Sequence, residues 1–332
     1  MIDEVRLAYA ALATHGTAKH GGLVTLGIDS VEGTYVAMDE HSRQHLLLQT
    51  ESKIEIDPGV TTLGISTRTL QLVGGEILVL DVTCLFASLS EVFDHFAAAV
   101  IQRIADAAES PADAVISVLA AWRNFLVPPA GPPSLDKIAA TLGELLVVRD
   151  AVKNSGRVDI GFWSGPFGQR HDLRGGRTAM EVKTTRAHTG YRVTIHGEDQ
   201  MLPPEDGHLY LHFFRLESVH QGKLRLTAVV DELLDAGVSA EQLFRALSAS
   251  GVPPGDLSST DNTTFDALER VTFPVDDQTP RIVPSSFSGG QRPQGVVDIT
   301  YVVDLSHTAG RALGEDEYKA VTATLALGPT AW

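Results

Sequence analysis

Two adjacent glycines, Gly175-Gly176, divide the β-favouring runs Arg170-Arg174 and Arg177-Thr185, and such a stretch closes most simply as an antiparallel hairpin. With the glycines as a two-residue turn, Arg174 pairs with Arg177 and Asp172 with Ala179. Side chains alternate along a strand, so Ala179, Glu181, Lys183 and Thr185 share one face, and Met180, Val182 and Thr184 the other. Opposed residues also share a face. Asp172 therefore joins Glu181 and Lys183, diagonal to Glu181 at a Cα separation of roughly 7–8 Å. A bulge in the turn would invert this parity.

Two carboxylates at that separation can converge on one hard divalent cation, Mg²⁺ with Mn²⁺ as substitute. On this reading Asp172 and Glu181 hold the ion, with the Val182 carbonyl as a further ligand. The ion would activate a water and stabilise charge on phosphoryl oxygens. Lys183 would orient the attacking water or stabilise the transition state. The plain alternative is a solvated strand face carrying a cross-strand ion pair.

The rest of the chain bounds the setting. Its 332 residues exceed one typical domain, and 43% apolar with 20% charged residues suits a folded chain with a sizeable core. The lone Cys84 excludes a disulfide framework and fits a reducing compartment. Met1-Ile2-Asp3-Glu4 lacks the basic start of a signal peptide, and no apolar run approaches a membrane span, so a cytoplasmic protein is expected. A net charge of −16 opposes broad adhesion to nucleic acid or anionic membrane. Yet residues 149–192 carry nine Lys/Arg against four Asp/Glu, a local +5 that leaves −21 elsewhere. That positive island surrounds the carboxylates, as a phosphate-binding cleft requires. Within it Arg170, Arg174, Arg177 and Arg186 are candidates for DNA-phosphate contacts.

Organisation follows from punctuation and periodicity. Residues 23–86 read as short strands, followed by helices over Ser90-Ala107 and from Ser110-Pro111 to Phe125. The run Pro128-Pro129-Ala130-Gly131-Pro132-Pro133 cannot continue a helix and marks a domain boundary. Ser134 then caps a helix from Leu135 to about Lys153 that is apolar nearly all round, so Glu144 is a lone carboxylate on a buried segment, able to complete the metal shell. Strands are expected over Tyr191-His196, His208-Leu216, Leu224-Val230 and Gly295-Leu305, with a helix near Ala240-Ser250 and a polar loop over Pro253-Thr264. The expected division is a β-rich N-terminal domain over 1–127, a catalytic core over 134–230, and a C-terminal α/β accessory region over 231–332.

Gly143-Glu144-Leu145, Trp163-x-Gly165-Pro166, His171-Asp172, Glu181-Val182-Lys183-Thr184-Thr185, Gln200 and Leu209-Tyr210-Leu211 occur in the order helix, strand, strand, strand, Gln-bearing segment, strand. From Gly143 to about Leu216 the chain resembles the PD-(D/E)XK nuclease superfamily. More narrowly, it resembles a bacterial family of PD-(D/E)XK proteins encoded near phage-defence or restriction genes. The resemblance implies an α/β (α+β) restriction-endonuclease-like core, a mixed sheet flanked by helices. It also implies catalytic roles for Glu144, Asp172, Glu181 and Lys183, and an auxiliary one for Gln200. His171 stands where the motif has proline, and Pro203-Pro204 cuts short the helix expected after Gln200.

Other signals carry less. Ser288-Gly289-Gly290-Gln291-Arg292 resembles an ABC-ATPase signature, but the chain has no P-loop, so it reads as a glycine-rich turn. His188, His196, His208, His212 and His220 are too far apart on strands to hold zinc. Phe213-Phe214 reads as core, and Trp163 as a packing residue rather than a base-stacking platform. The expected activity is Mg²⁺-dependent endonucleolytic hydrolysis of DNA, within a multi-subunit restriction or anti-phage system. Helicase/ATPase or methylase subunits are the expected partners, and a homodimer is possible in principle because a duplex has two strands to cut. The alternative is a non-cleaving DNA-binding module or scaffold subunit on the same fold.

Overall fold

Ser134 and Gly156 bracket a 21-residue helix, Leu135–Ser155. The Ser134 side chain accepts from the Lys137 N–H at 3.2 Å, and Gly156, at φ 70°, supplies the left-handed residue that ends it. The computed structural model describes residues 1–14, 22–72, 74–128 and 130–328; Pro129 of the proline-rich boundary lies outside them. The fold is mixed α+β, in two compact units: residues 1–130 with 254–256, and residues 131–253 with 257–332.

The first unit contains α1 (Ile2–Thr14), β1 (Val24–Gly27), β2 (Thr34–Met38), β3 (Gln44–Gln49), β4 (Leu63–Leu72), β5 (Gly75–Cys84), α2 (Ser90–Ala107) and α3 (Pro111–Trp122). Its strands form one antiparallel sheet in the order β1-β2-β3-β5-β4. Leu46, Leu48, Leu80 and Val82 are fully buried, as are Phe93 and Phe96 of α2, whose rings stack 5.8 Å apart. The N-terminal helix α1 is absent from the sequence expectations. Its buried positions Val5, Ala8, Tyr9 and Leu12 have helical spacing, but the stripe is short and its polar face holds few charges.

The second unit is built on α4 (Leu135–Ser155), β6 (Leu173–Gly175), β7 (Thr178–Thr185), β8 (Arg192–His196), β9 (His208–Ser218), β10 (Leu224–Arg225), α5 (Leu226–Asp235), α6 (Ala240–Ala249), β11 (Thr264–Val275), β12 (Thr300–Asp304) and α7 (Glu315–Leu327). The central sheet runs β10-β11-β9-β7-β6, with β7 parallel to β9 and the other neighbours antiparallel. β8 and β12 form a separate two-stranded sheet. Its Val193, Ile195 and Val303 pack with Ala179, Leu209, Leu211, Phe213 and Phe273 from one face of the central sheet. Both α4 and α7 contact β7, and α4 also packs against α5 and α7.

Two local expectations are corrected. Leu224-Val230 is not one strand: only Leu224–Arg225 pairs, and α5 begins at Leu226. Leu226, Val229, Val230 and Leu233 form a buried helical stripe beneath the β-branched composition, and packing on α4 decides the outcome. The polar stretch ends in a long strand, β11, not foreseen from sequence. A register irregularity between Ala267 and Glu269 leaves Leu268 outward and breaks the period-two pattern that would have marked it.

Glycines allow the closest approaches. A Cβ on Gly143 of α4 would lie 2.1 Å from Thr184 Oγ1 of β7. One on Gly175 would lie 1.9 Å from the Leu325 carbonyl oxygen of α7. These two contacts seat the helices on the hairpin that carries the carboxylates.

Candidate active site

The hairpin turn lies one residue later than the sequence suggests. Gly175 pairs with Thr178, Arg174 with Ala179 and Leu173 with Met180, so the two-residue loop is Gly176–Arg177. Gly176, at φ 59°, takes the loop position that needs positive φ, whereas Gly175 belongs to the ladder under α7. The register thus shifts by two residues and parity is retained. Continuing the register puts Asp172 directly opposite Glu181, rather than diagonal to it.

Asp172 is fixed from two directions. Its Oδ2 accepts from the Val182 N–H at 2.7 Å. Its carbonyl accepts from the N–H groups of Ser164 and Gly165 at 2.9 and 2.8 Å. Gly165 lies so close that a Cβ there would be 2.8 Å from Asp172 Cα, which accounts for glycine in the Trp163-x-Gly165-Pro166 segment. His171, at the motif's proline position, is buried and donates Nε2–H to the Leu202 carbonyl at 3.1 Å. Burial, with the Arg170 charge second, pulls its pKa down to about 4, so the ring is neutral near pH 7. His171 thereby ties the Asp172 corner to the segment carrying Gln200.

Glu181 is 1% exposed and accepts an ion pair from Lys183, Nζ to Oε1 at 2.9 Å. Lys183 Nζ also donates to Gln200 Oε1 at 3.1 Å, and the same oxygen accepts from the His196 N–H at 3.0 Å. No helix follows Gln200; it sits in the turn after β8, with its amide oxygen against Lys183. Glu144 is not a lone carboxylate. Trp163, itself 1% exposed, donates its indole N–H to Glu144 Oε2 at 2.7 Å. Trp163 is thus a packing residue with a polar task. A buried indole needs an acceptor, and the facing helix carries this carboxylate, so the pairing was available to sequence reasoning.

The three carboxylates hold protons unusually tightly. Burial, then the nearby Asp172 charge, pushes Glu144 up to about 8. Burial, then Asp172, raises Glu181 well above the ordinary range despite Lys183. Asp172 is raised by burial, against the opposing pull of Lys183 and the Val182 N–H. Oε2 of Glu181 is buried without a hydrogen-bond partner. Among the described residues no group of three or more His, Cys, Asp or Glu is arranged to hold a metal ion. One oxygen each of Glu144, Asp172 and Glu181 is already engaged by Trp163, Val182 and Lys183. Magnesium, however, is commonly held by one or two carboxylates plus waters and substrate phosphates. An all-oxygen donor set with an unpartnered buried carboxylate oxygen fits such an ion.

The arginines separate. Arg170 is exposed beside His171, and Arg174 is half-buried on β6. Arg177 sits in the hairpin loop, four residues from Glu181 along β7 or about 13 Å. Arg186 is exposed and pairs with Asp136 at 2.7 Å. Of the histidines, His188, His196, His208 and His220 are exposed, whereas His212 is buried with its Nδ1 2.6 Å from Thr272 Oγ1. Ser288–Gly290 forms a 3-10 turn, and Arg292 pairs with Glu198 at 2.5 Å. Two cavities of the second unit, about 680 Å³ beside α4 and α5 and about 570 Å³ beside Arg270 and Tyr318, are lined by other residues. No described helix is long and apolar enough to cross a membrane.

No curated protein matches the chain, and no solved structure matches it. A family model described as "Putative PD-(D/E)XK family member, (DUF4420)" matches residues 6–306, nearly the whole chain. The helix, the hairpin with its D…ExK residues and the mixed sheet therefore belong to a member of this PD-(D/E)XK family, which has a nuclease-like fold.

Proposed function

We propose that the protein is a Mg²⁺-dependent endonuclease that hydrolyses DNA phosphodiester bonds, with Mn²⁺ able to substitute. The observation that carries this reading is the meeting of Glu144, Asp172 and Glu181, three proton-retaining carboxylates, with Lys183 held between Glu181 and Gln200. Burial raises all three acids, the Asp172 charge raises Glu144 and Glu181 further, and a cation among them would relieve that cost. Asp172 and Glu181 would hold it, with Glu144 and the Val182 carbonyl as further oxygen donors. When bound, it supplies positive charge to the phosphoryl oxygens and promotes ionisation of water.

The chain's own groups supply orientation. The Val182 N–H and the Ser164 and Gly165 amides keep Asp172 in place, and Trp163 keeps Glu144 in place. Gln200, fixed by the His196 N–H, holds the Lys183 ammonium beside Glu181. From there the ammonium can stabilise negative charge developing on the scissile phosphate and orient the attacking water. Arg170 and Arg174 lie nearest this corner in sequence and suit phosphate contacts, whereas Arg177 and Arg186 serve as more distant contributors to the positive island.

The net −21 outside that island supports a role as one component of a multi-subunit restriction or anti-phage system in the cytoplasm, where helicase, ATPase or methylase subunits help deliver DNA. A second reading, a non-cleaving DNA-binding module or scaffold on the same fold, draws on the internal satisfaction of Lys183 by Glu181 and Gln200. Incubation of plasmid and linear DNA with Mg²⁺ or Mn²⁺ separates the two. Metal-dependent cleavage that disappears in Glu181→Ala and Lys183→Ala supports the enzyme. DNA binding without cleavage under every metal condition, with partner subunits added, supports the module.

A further inference from the structure

Sequence reasoning weighs Trp163 as the aromatic residue of the site that could meet a base. The structure buries Trp163 and turns another ring outward: Phe167 is 51% exposed. It stands on the short turn Gly165–Phe167, which is followed by exposed Gly168, Gln169 and Arg170 before the chain enters His171-Asp172.

This turn is joined rigidly to the candidate site. Ser164 and Gly165 donate their N–H groups to the carbonyl of Asp172, and Ser164 Oγ donates to the His171 carbonyl at 3.1 Å. Phe167 N–H donates to the Ser164 carbonyl at 3.1 Å, and Gly168 N–H to the Gly165 carbonyl at 3.0 Å. Gly168 then reverses the chain with φ 74°. Gly165 touches Asp172, and Phe167 lies two residues farther on, so its Cα is within about 10 Å of Asp172. A ring held this way loses little freedom when a ligand covers it. The adjacent Arg170 offers a planar cation that can stack or bind phosphate.

We infer that Phe167 and Arg170 form a nucleobase-binding surface beside the carboxylates, and that its ligand is an unpaired base next to the scissile phosphate. A ring on a loop can stack only on a base whose face is uncovered. The substrate class is therefore DNA with unstacked nucleotides at the cut: a single strand, flap, gap or opened end. This rests on the nuclease reading and specifies its substrate.

The test uses the full-length chain carrying Glu181→Gln, which preserves side-chain shape while removing the acid. Single-stranded and fully paired oligonucleotides, each with one 2-aminopurine, are titrated in Mg²⁺ with and without Phe167→Ala or Phe167→Trp. The expected result is tighter binding of the single strand with quenched 2-aminopurine. Phe167→Ala should weaken that binding by about tenfold or more and abolish quenching, while Phe167→Trp retains both. Arg170→Ala should reduce the salt dependence of binding by about one ion. Equal single-strand affinity and quenching in Phe167→Ala would overturn the inference. So would tighter binding of the paired oligonucleotide than of the single strand. If wild type cuts DNA yet Phe167→Ala behaves identically, only this inference fails. If wild type neither binds nor cuts any DNA, the nuclease reading falls with it.

Discussion

The indole of Trp163 donates to Glu144 at 2.7 Å, while the next two residues, Ser164 and Gly165, donate their amides to the carbonyl of Asp172. One short segment thus positions two of the three carboxylates, one through a side chain and one through the backbone. Trp163→Phe removes the donor and leaves a small cavity where the larger ring was buried. Because that hydrogen bond holds the Glu144 pKa down, its loss should push the pKa higher still. The expected outcome is a stability loss of about 2–4 kcal/mol, from the lost hydrogen bond and the cavity together, and a pH–rate profile displaced upward, read by chemical denaturation and cleavage rates. An unchanged profile would show that the indole does not govern Glu144.

Lys183 is placed by Gln200 as much as by Glu181. Gln200→Ala should lower kcat for DNA cleavage by about tenfold, since one charge-assisted hydrogen bond to the ammonium is lost. KM for DNA should stay within about twofold, because the residue acts on the reacting groups through Lys183. A change in KM alone would place Gln200 in substrate binding instead.

Metal-free stability should fall as pH rises. Glu144 binds its proton more tightly in the folded chain, at about 8, than at the unfolded value of 4.5. Between these values the folded state carries more protons than the unfolded state, so raising pH favours unfolding. The stabilisation is complete below 4.5 and lost above about 8; Asp172 and Glu181, also raised, act in the same direction. Thermal unfolding in EDTA across pH 5 to 9 should show a decline in Tm that is shallower in Glu144→Gln. Mg²⁺ should restore more stability at pH 8 than at pH 6, because it competes with protons for the same oxygens.

The Gly143–Thr184 contact yields a double-mutant test. Gly143→Ala adds a methyl 2.1 Å from Thr184 Oγ1 and should cost about 1–3 kcal/mol, despite alanine's better helix propensity. Thr184→Ala in the same chain removes the oxygen and should recover most of the loss. Gly175→Ala meets the Leu325 backbone carbonyl, so no side-chain truncation at position 325 should rescue it. Urea denaturation of the four variants measures these differences.

The parity of the hairpin was legible because it depends only on strand alternation, which a register shift of two residues preserves. The register itself was not. It turns on Gly175 lying beneath α7, and the sequence carries no mark that Leu325, 150 positions away, would meet it. α5 is hidden for a related reason: Val229 and Val230 favour strands, and only packing on α4 reveals the helical stripe. The buried helix and the family resemblance point to Glu144, whereas its partner Trp163 reads from the sequence as a packing residue alone. Phe167 carries no sequence signal beyond its turn-forming neighbours: the core accepts Phe162 and Trp163 and leaves the third aromatic of the segment exposed.

The most direct test is Mn²⁺ binding followed by electron paramagnetic resonance at pH 8, with a DNA oligonucleotide present. The account predicts at least one bound ion per wild-type chain. That ion should be lost in Asp172→Ala and in Glu181→Ala while circular dichroism remains unchanged. Wild-type protein that binds no Mn²⁺, or whose binding survives both substitutions, would contradict the assignment of these carboxylates as a cation site.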